Sequence, residues 1–556
     1  VNFSWFKKGT IYQIYPRSFN DSNNDGIGDI RGIIEKLDYL EKLNIDILWL
    51  SPIFSSPNDD NGYDISDYRA IMPEFGSMRD FDELLEKTHK RGMKLVLDLV
   101  ANHCSDEHKW FEEAKKSKDN PYRDYFHWKK PLSNGGPPNN WKSFFGGSAW
   151  EFDETSGEYY LHLFTRKQPD LNWENPKVRE EIFNAMKFWL DKGVDGFRMD
   201  VIPLISKRDG YPNAPNVGFR KVIEDVYANG PRLHEYLKEM REKVIRHYDA
   251  FSLAEGVGIN HDNAGLYINN DREELDMLYH FDILECTIVN GKFEESSSFD
   301  LVNMKSIFKK WRDAVHQKGW LANAMGNHDF ARMVSRFGND DKYWAESAKM
   351  LFIMQSTQNG TLNIYQGDEI GMTNIVLESI NEVRDVQSLN FYEENLGTQK
   401  MSKERALELI NKEGRDNART PMQWNDEING GFSIVEPWLK VNPNYNKINT
   451  VTQENDPNSI LNFYRNVLNI RKSNDVFVYG DVEELEYDNP SIYAYTKTLD
   501  EIRILVILNF SDNNSKFTLP NKCTNKNIIV NNYESLMFDN EVINLKPYQG
   551  LILKFE

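Results

Sequence analysis

The chain has 556 residues, 13% of them aromatic and 27% charged, with a formal net charge of −20. That length exceeds one ordinary domain and suits a large domain with smaller satellites. The acidic balance leaves no basic excess to neutralise phosphates, which excludes nucleic acid and anionic membranes as partners and favours a neutral substrate.

Cys104, Cys286 and Cys523 are widely spaced and odd in number, so no disulfide framework is expected and a reducing, cytoplasmic setting is. Cys104 follows His103, but the other ligands of a Cys/His metal site are missing. The opening residues Val1-Asn2-Phe3-Ser4-Trp5 carry no charged segment ahead of an apolar one. No run approaches the roughly 20 apolar residues of a membrane span. The missing initiator Met leaves a removed leader open. A monomer or weak homo-oligomer is expected.

Taken in chain order, the apolar runs at 11–16, 45–52, 94–100, 196–201 and 251–255 read as strands buried on both faces of a parallel sheet. Amphipathic stretches at 32–43 and 78–89 read as helices between them. After Asn175 the signal is plainest. Asn175 caps, Pro176 takes the first helical position, Val178, Ile182, Trp189 and Leu190 share one face, and Gly193 ends the helix. Repeated βα units predict an α/β fold, a (β/α)8 TIM barrel, over 1–103 and 173–474. An open doubly wound sheet is disfavoured, because no Gly-rich phosphate loop follows the first strand.

The connection from His103 to Trp173 is too long for a structureless loop, so 104–172 is expected to form an inserted subdomain after strand 3. The polar, helix-prone stretch 378–423 reads as a second excursion near the last barrel strand. From 475 to 556, short alternating runs such as 491–496 and 502–509 predict a C-terminal β-sandwich.

Four stretches end in a carboxylate or a His: Asp98-Leu-Val-Ala-Asn-His103, Gly196-Phe-Arg-Met-Asp200, Leu253-Ala-Glu255-Gly256 and Gly326-Asn-His-Asp329. Barrel strands deliver functional side chains to the C-terminal rim in this way. Residues 198 and 200 face the same way along a strand, so Arg198 stands beside Asp200 and keeps it ionised, as a nucleophile requires. Glu255, at a strand end near another carboxylate, is suited to hold a proton as general acid. Two acids across a glycosidic bond are the minimal glycosidase machinery. His103 and His328 are placed to donate to a bound hydroxyl, and Tyr63, Phe144, Phe164 and Trp173 to stack on a sugar. A single Arg–Asp pair or a lone His would read equally well as structural; four such segments in order do not.

Longer strings sharpen this. Ile11-Tyr-Gln-Ile-Tyr-Pro-Arg-Ser-Phe19, Asp59-Asp-Asn-Gly-Tyr-Asp-Ile-Ser-Asp-Tyr68, Gln168-Pro-Asp-Leu-Asn172 and Arg415-Asp-Asn-Ala-Arg-Thr-Pro-Met-Gln-Trp424 resemble those of α-amylase-superfamily glycoside hydrolases, family 13. Within it the chain is similar, over essentially its whole length, to the oligo-1,6-glucosidase, dextran glucosidase and α-glucosidase group. The resemblance implies Asp200 as nucleophile, Glu255 as acid/base and Asp329 as transition-state stabiliser. It implies that Arg198, His103 and His328 hold the sugar in the −1 subsite, with Tyr63, Phe144, Phe164 and Gln168 as further substrate contacts. Asp64 and Arg415 would grip the non-reducing end, making the enzyme exo-acting. Retention of configuration would place the Asp200 and Glu255 carboxyls roughly 5–5.5 Å apart.

In this group a Val after the nucleophile goes with α-1,6 substrates and an Ala with α-1,4, and here the residue is Val201. Isomaltose-type oligosaccharides are therefore the expected substrates; α-1,4-glucosidase and sucrose-active enzymes are the alternatives. The chain departs from the group at Gly256, expected to open the aglycone side, and at Phe330-Ala331-Arg332. Resemblance also implies a structural Ca²⁺ or Mg²⁺ on Asp21, Asn23, Asp25, Ile27 (through its carbonyl) and Asp29, and no organic cofactor. Gly32 stands where an EF-hand has its bidentate Glu, and an Asp/Asn-rich turn held by its own bonds has the same string.

Three competitors fit less well. Sucrose isomerases carry a charged loop that Arg332-Met-Val-Ser-Arg336-Phe337 does not match. A trehalose-6-phosphate hydrolase needs a basic aglycone pocket, and no Lys/Arg cluster is evident in sequence near Glu255. The non-catalytic heavy chains of amino-acid transporters lack the acids and carry an anchor.

Overall fold

Eight short runs rich in apolar residues form parallel strands: β1 Thr10–Ile14, β2 Ile47–Leu50, β3 Lys94–Val100, β4 Gly196–Asp200, β5 Phe251–Gly256, β6 Met277–His280, β7 Ala322–Ala324 and β8 Thr361–Tyr365. The structure is a computed structural model that describes residues 4–288, 291–294, 298–520, 523 and 526–555. Residues 1–3 and 556, the outer ends of the first and last expected domains, lie outside the described residues. Around the sheet the order is β6-β5-β4-β3-β2-β1-β8-β7, and a parallel bridge between Leu278 and Leu321 joins the two ends. The barrel expected from the βα repeats is present. Its strands are buried on both faces, as in β1, β2 and β4, where every residue is buried.

Local chemistry fixes the helices. Asn175 accepts from the Lys177 N–H, Pro176 opens the helix Pro176–Lys192, and Gly193 closes it in the left-handed region at φ 110°. Ser77 and Asp80 form a reciprocal capping box at the start of Met78–Lys90. The single helix expected over 32–43 is two, Ile30–Glu35 and Leu37–Lys42, broken at Lys36. Asp29 caps the first by accepting from Gly32 N–H. Gly32 thus lies inside the helix, where a Cβ would meet Asn20 O at 1.9 Å.

After β3 the chain leaves the barrel and forms a three-stranded antiparallel sheet, with Glu158–Leu161 between Trp128–Lys129 and Trp150–Asp153. Its apolar side chains Trp141, Phe145, Trp150 and Phe164 share one cluster with Val201, Val226 and Val257. The excursion is therefore packed onto the ends of β4 and β5, where a rim site lies. Helices Val386–Thr398 and Lys403–Glu413 follow β8.

Beyond the helix Val476–Tyr479, β9 Asp481–Leu485, β10 Ile492–Leu499, β11 Ile502–Asn509, β12 Ser515–Thr518, β13 Asn527–Asn531, β14 Met537–Asp539, β15 Val542–Leu545 and β16 Gly550–Phe555 make two antiparallel sheets, ordered β9-β10-β11-β16-β13 and β12-β15-β14. They enclose a core of Leu505, Ile507, Phe517, Ile543 and Leu551.

Candidate active site

Register sets the floor of the site. Asp98 on β3 lies opposite Arg198 on β4, and Val100 opposite Asp200. Arg198 is fully buried: Nη1 donates to Asp98 Oδ1 at 2.9 Å and to Asp200 Oδ1 at 2.8 Å, and Nη2 lies 2.8 Å from Glu255 Oε2. Its Nε and Nη2 also donate to the Tyr279 hydroxyl at 3.1 and 2.8 Å. Tyr63 OH and Trp49 Nε1 complete Asp98, at 2.9 and 3.2 Å.

One guanidinium faces three carboxylates, so the cluster is short of positive charge. Burial raises the Asp98, Asp200 and Glu255 carboxyls, and the neighbouring Glu255 charge raises Asp200 further. Arg198 binds Asp200 through Nη1 and Glu255 through Nη2, each at 2.8 Å, yet burial outweighs it at Asp200, whose carboxyl is raised and not held ionised as the sequence led one to expect.

Val201 N–H donates to Glu255 Oε2 at 2.9 Å. To do so Val201 adopts φ 36°, ψ 35°, a left-handed conformation that costs a β-branched residue on the order of 1–3 kcal/mol. Strain here aims an N–H at the Glu255 carboxylate.

Asp329 follows β7. Its Oδ1 accepts from Arg415 Nη1 and Arg419 Nη2, both at 3.2 Å, and its Oδ2 lies 3.3 Å from His328 Nε2. Burial opposes its ionisation, but the His328 edge, Arg415, Arg419 and Lys292 hold it well below the usual carboxylate range. His328 accepts at Nδ1 from Gln13 Nε2 at 2.8 Å, which leaves Nε2–H toward Asp329. The ring is stacked on Tyr63, with centroids 5.1 Å apart and planes 3° from parallel. Burial keeps His328 and His103 neutral, the latter lowered to about 4.

These groups open on a cavity of about 990 Å³ whose lining includes Tyr63, His103, Phe144, Phe164, Val201 and Arg415. Phe144 and Phe164 stack at 4.7 Å. Trp173 is core, donating to Ala101 O.

The family profile described as alpha amylase, catalytic domain, matches residues 13–480, and that of the alpha-amylase SusG C-terminal domain matches 492–552. The chain belongs to the α-amylase family of glycoside hydrolases. It is 50% identical to an oligo-1,6-glucosidase of Parageobacillus thermoglucosidasius over 99% of both chains. It is 45% identical to a trehalose-6-phosphate hydrolase of Bacillus subtilis, over 99% of this chain and 98% of the relative. Among solved structures, the trehalulose synthase of Pseudomonas mesoacidophila matches with a TM-score of 0.96 at 42% identity, covering 99% of each chain.

Several expected contacts of this glycoside hydrolase lie elsewhere. Asp64 does not meet Arg415: it is fully buried and accepts the Asp59 and Asp60 N–H groups at 2.8 and 3.0 Å. Positive φ at Asn61 and Gly62 turns the chain so that Asp64 caps its own loop. Asp60 takes the place, accepting from Arg415 Nη2 at 3.1 Å and lining the cavity. Gln168 is also behind the wall, with Nε2 on Asp60 Oδ2 at 3.2 Å, so it positions Asp60. Arg198 lies beneath the carboxylates and does not line the cavity. Gly256 does not open the aglycone side, because a Cβ there would strike Tyr279 O at 2.6 Å. Phe330 lines the cavity, whereas Arg332 turns inward to Gln366 O and Asn417 O.

Sequence reasoning also missed Asp385, bonded to Arg415 Nε at 2.7 Å, and Lys292, which donates to Asp329 O at 2.6 Å. Arg220, Lys221 and Lys292 do line the cavity near Glu255. Arg220 and Lys221 are paired, with Asp282 and with Asp225, and Lys292 donates to the Asp329 carbonyl and to Gln387 Oε1.

In the 21–29 loop, Asp21 accepts from the Asn23, Asn24 and Gly26 N–H groups, Asp25 from Ile27, and Asp29 from Ser22 and Gly32. Among the described residues no three acidic, His or Cys side chains gather into a ready metal cluster. The expected donors, Asp21, Asn23, Asp25, Asp29 and the Ile27 carbonyl, are all oxygens of the kind a hard cation takes. Burial raises the Asp29 carboxyl and the adjacent Asp21 charge adds to it, a repulsion that a cation would relieve.

Proposed function

We propose that this enzyme releases single glucose units from the non-reducing end of short α-1,6-linked gluco-oligosaccharides with retention at the anomeric carbon. The observation that carries the exo reading is the charged end wall. Arg415 is fixed by Asp60, Asp329 and Asp385 at once, a rigid set of donors and acceptors for the hydroxyls of a terminal sugar. In the first step an Asp200 carboxylate oxygen bonds to C1 as the glycosidic bond breaks, and the Glu255 proton passes to the leaving oxygen. In the second, Glu255 takes a proton from water as the water oxygen bonds to C1 and frees Asp200. Asp329, ionised throughout, and neutral His328 stabilise the sugar as positive charge develops.

Linkage rests on Val201 and on relatives at 48–50% identity named as oligo-1,6-glucosidases. Val201→Ala is expected to lower the isomaltose-to-maltose ratio of kcat/KM by about tenfold, the scale of one to two methylenes in a pocket. An unchanged ratio would remove the side chain from the selection.

The 21–29 loop is read as a structural Ca²⁺ or Mg²⁺ site. It holds residues 432–438 to the barrel through Asp21 N–H on Phe432 O and Trp438 N–H on Gly26 O. A chelator should lower Tm by several degrees with Ca²⁺ restoring it, and Asp21→Ala should abolish that response. A Tm indifferent to chelator would contradict the site. Among the described residues no helix is long and apolar enough to cross a membrane. The free buried cysteines support a cytoplasmic protein, monomeric or weakly associated.

A further inference from the structure

The segment after β4 meets the helix after β6 through an ion pair, and the same segment lies against Gly258 just beyond β5 through Ile223 and Ala228. Sheet order places β5 between β4 and β6, and β5 carries Glu255, which hands its proton to the departing sugar. In the wall of the same cavity Arg220, in the helix Phe219–Val222, is paired with Asp282, in the helix Phe281–Leu284, and Glu285 Oε2 lies 3.9 Å from Arg220 Nη1. All three line the cavity.

The two halves of the pair differ in rigidity. Asp282 Oδ2 accepts from Trp311 Nε1 at 2.6 Å. Trp311 in turn stacks on His280 at 4.1 Å, and His280 caps the Asp282 helix by accepting from Ile283 N–H. Arg220 instead sits on a segment exposed from 215 to 221, and its side chain is 59% exposed against 22% for Asp282. Its neighbour Phe219 contacts Phe144 edge-on at 5.5 Å, which ties this segment to the aromatic wall of the sugar site.

We infer that the Arg220–Asp282 pair is a strap across the leaving-group side of the cavity that sets how many sugar rings the substrate can carry beyond the scissile bond. A disaccharide fits beneath it; a longer chain must open it. The inference rests on the exo reading above. An exposed ion pair is weak and screened by salt, so the strap opens at small cost and tunes chain length rather than blocking it.

The test is kcat/KM for isomaltose and isomaltotriose, and for maltose and maltotriose, in wild type, Arg220→Ala and Arg220→Lys at low and high NaCl. Arg220→Ala should raise the tri-to-disaccharide ratio about threefold, the scale of an exposed pair, through KM. Arg220→Lys should keep the wild-type ratio. Salt should move wild type toward the Ala variant and leave that variant unmoved. A ratio unchanged in Arg220→Ala, or lowered because Arg220 grips sugar directly, overturns the strap. A preference for maltose would refute the linkage while leaving the ratio readable in the other substrate pair.

Discussion

Asp60 and Asp64 are four residues apart on one turn, yet they face different tasks. Asp60 meets Arg415 at the end of the cavity, while Asp64 ties its loop through two backbone N–H groups and is pushed up to about 7 by burial. Asp60→Asn removes the charge from a buried bond, which is typically worth about 1.5–3 kcal/mol. It should therefore raise KM for disaccharides by about tenfold or more. Asp64→Asn should leave KM near wild type and lower Tm. Steady-state kinetics and thermal melts on the two variants separate the roles; equal KM effects would contradict the assignment. Sequence offered three acids in Asp59-Asp60-Asn61-Gly62-Tyr63-Asp64 and no means to choose among them, because the choice depends on the backbone reversal at Asn61 and Gly62. By contrast, Arg198 beside Asp200 was legible, since strand alternation alone puts them on one face.

The strands β1 to β5 could be read from continuous apolar runs, and the cap at Asn175 from its chemistry. β6 to β8 could not be read individually. β7 is three residues, Ala-Asn-Ala, too short for any periodicity, and is held by pairing with β8. Glycines at strand contacts were equally silent. Gly256 lies opposite His280 on β6, and a methyl there would sit 2.6 Å from Tyr279 O. Gly256→Ala should push β6 away from β5, cost about 1–3 kcal/mol as overpacking does, and lower kcat on all linkages alike. Melting and kinetics on isomaltose and maltose check this. A variant of normal Tm with altered linkage preference would restore an aglycone role for the position.

Across the whole molecule, buried carboxyls set opposing pH dependences. Burial raises Asp64 and Asp368 to about 7 and Asp416 to about 6, whereas Asp in an unfolded chain ionises near about 3.9. Through that interval the folded protein keeps protons the unfolded chain releases. Their contribution is thus full below about pH 4 and lost as pH rises through 7. Asp329 and Asp385 behave oppositely: burial is overcome by Arg415 and Arg419, with His328 adding at Asp329, and both stay depressed. Their stability is present above about pH 4 and lost as pH falls below it. Tm should therefore peak near about pH 4–5 and decline toward 7, and Asp368→Asn should flatten that decline. A Tm that climbs steadily from pH 5 to 8 would refute this balance.

The same charge economy suits a neutral sugar, since Arg220 and Lys221 in the cavity wall each already face a carboxylate. The most direct measurement is kcat/KM for isomaltose, maltose, sucrose and trehalose-6-phosphate, side by side on the wild-type enzyme. Isomaltose is predicted to lead the set, with trehalose-6-phosphate poor because a phosphate would compete with the carboxylates that Arg220 and Lys221 already face. A clear preference for maltose, sucrose or trehalose-6-phosphate would leave the barrel and its three carboxylates standing and contradict the α-1,6 account.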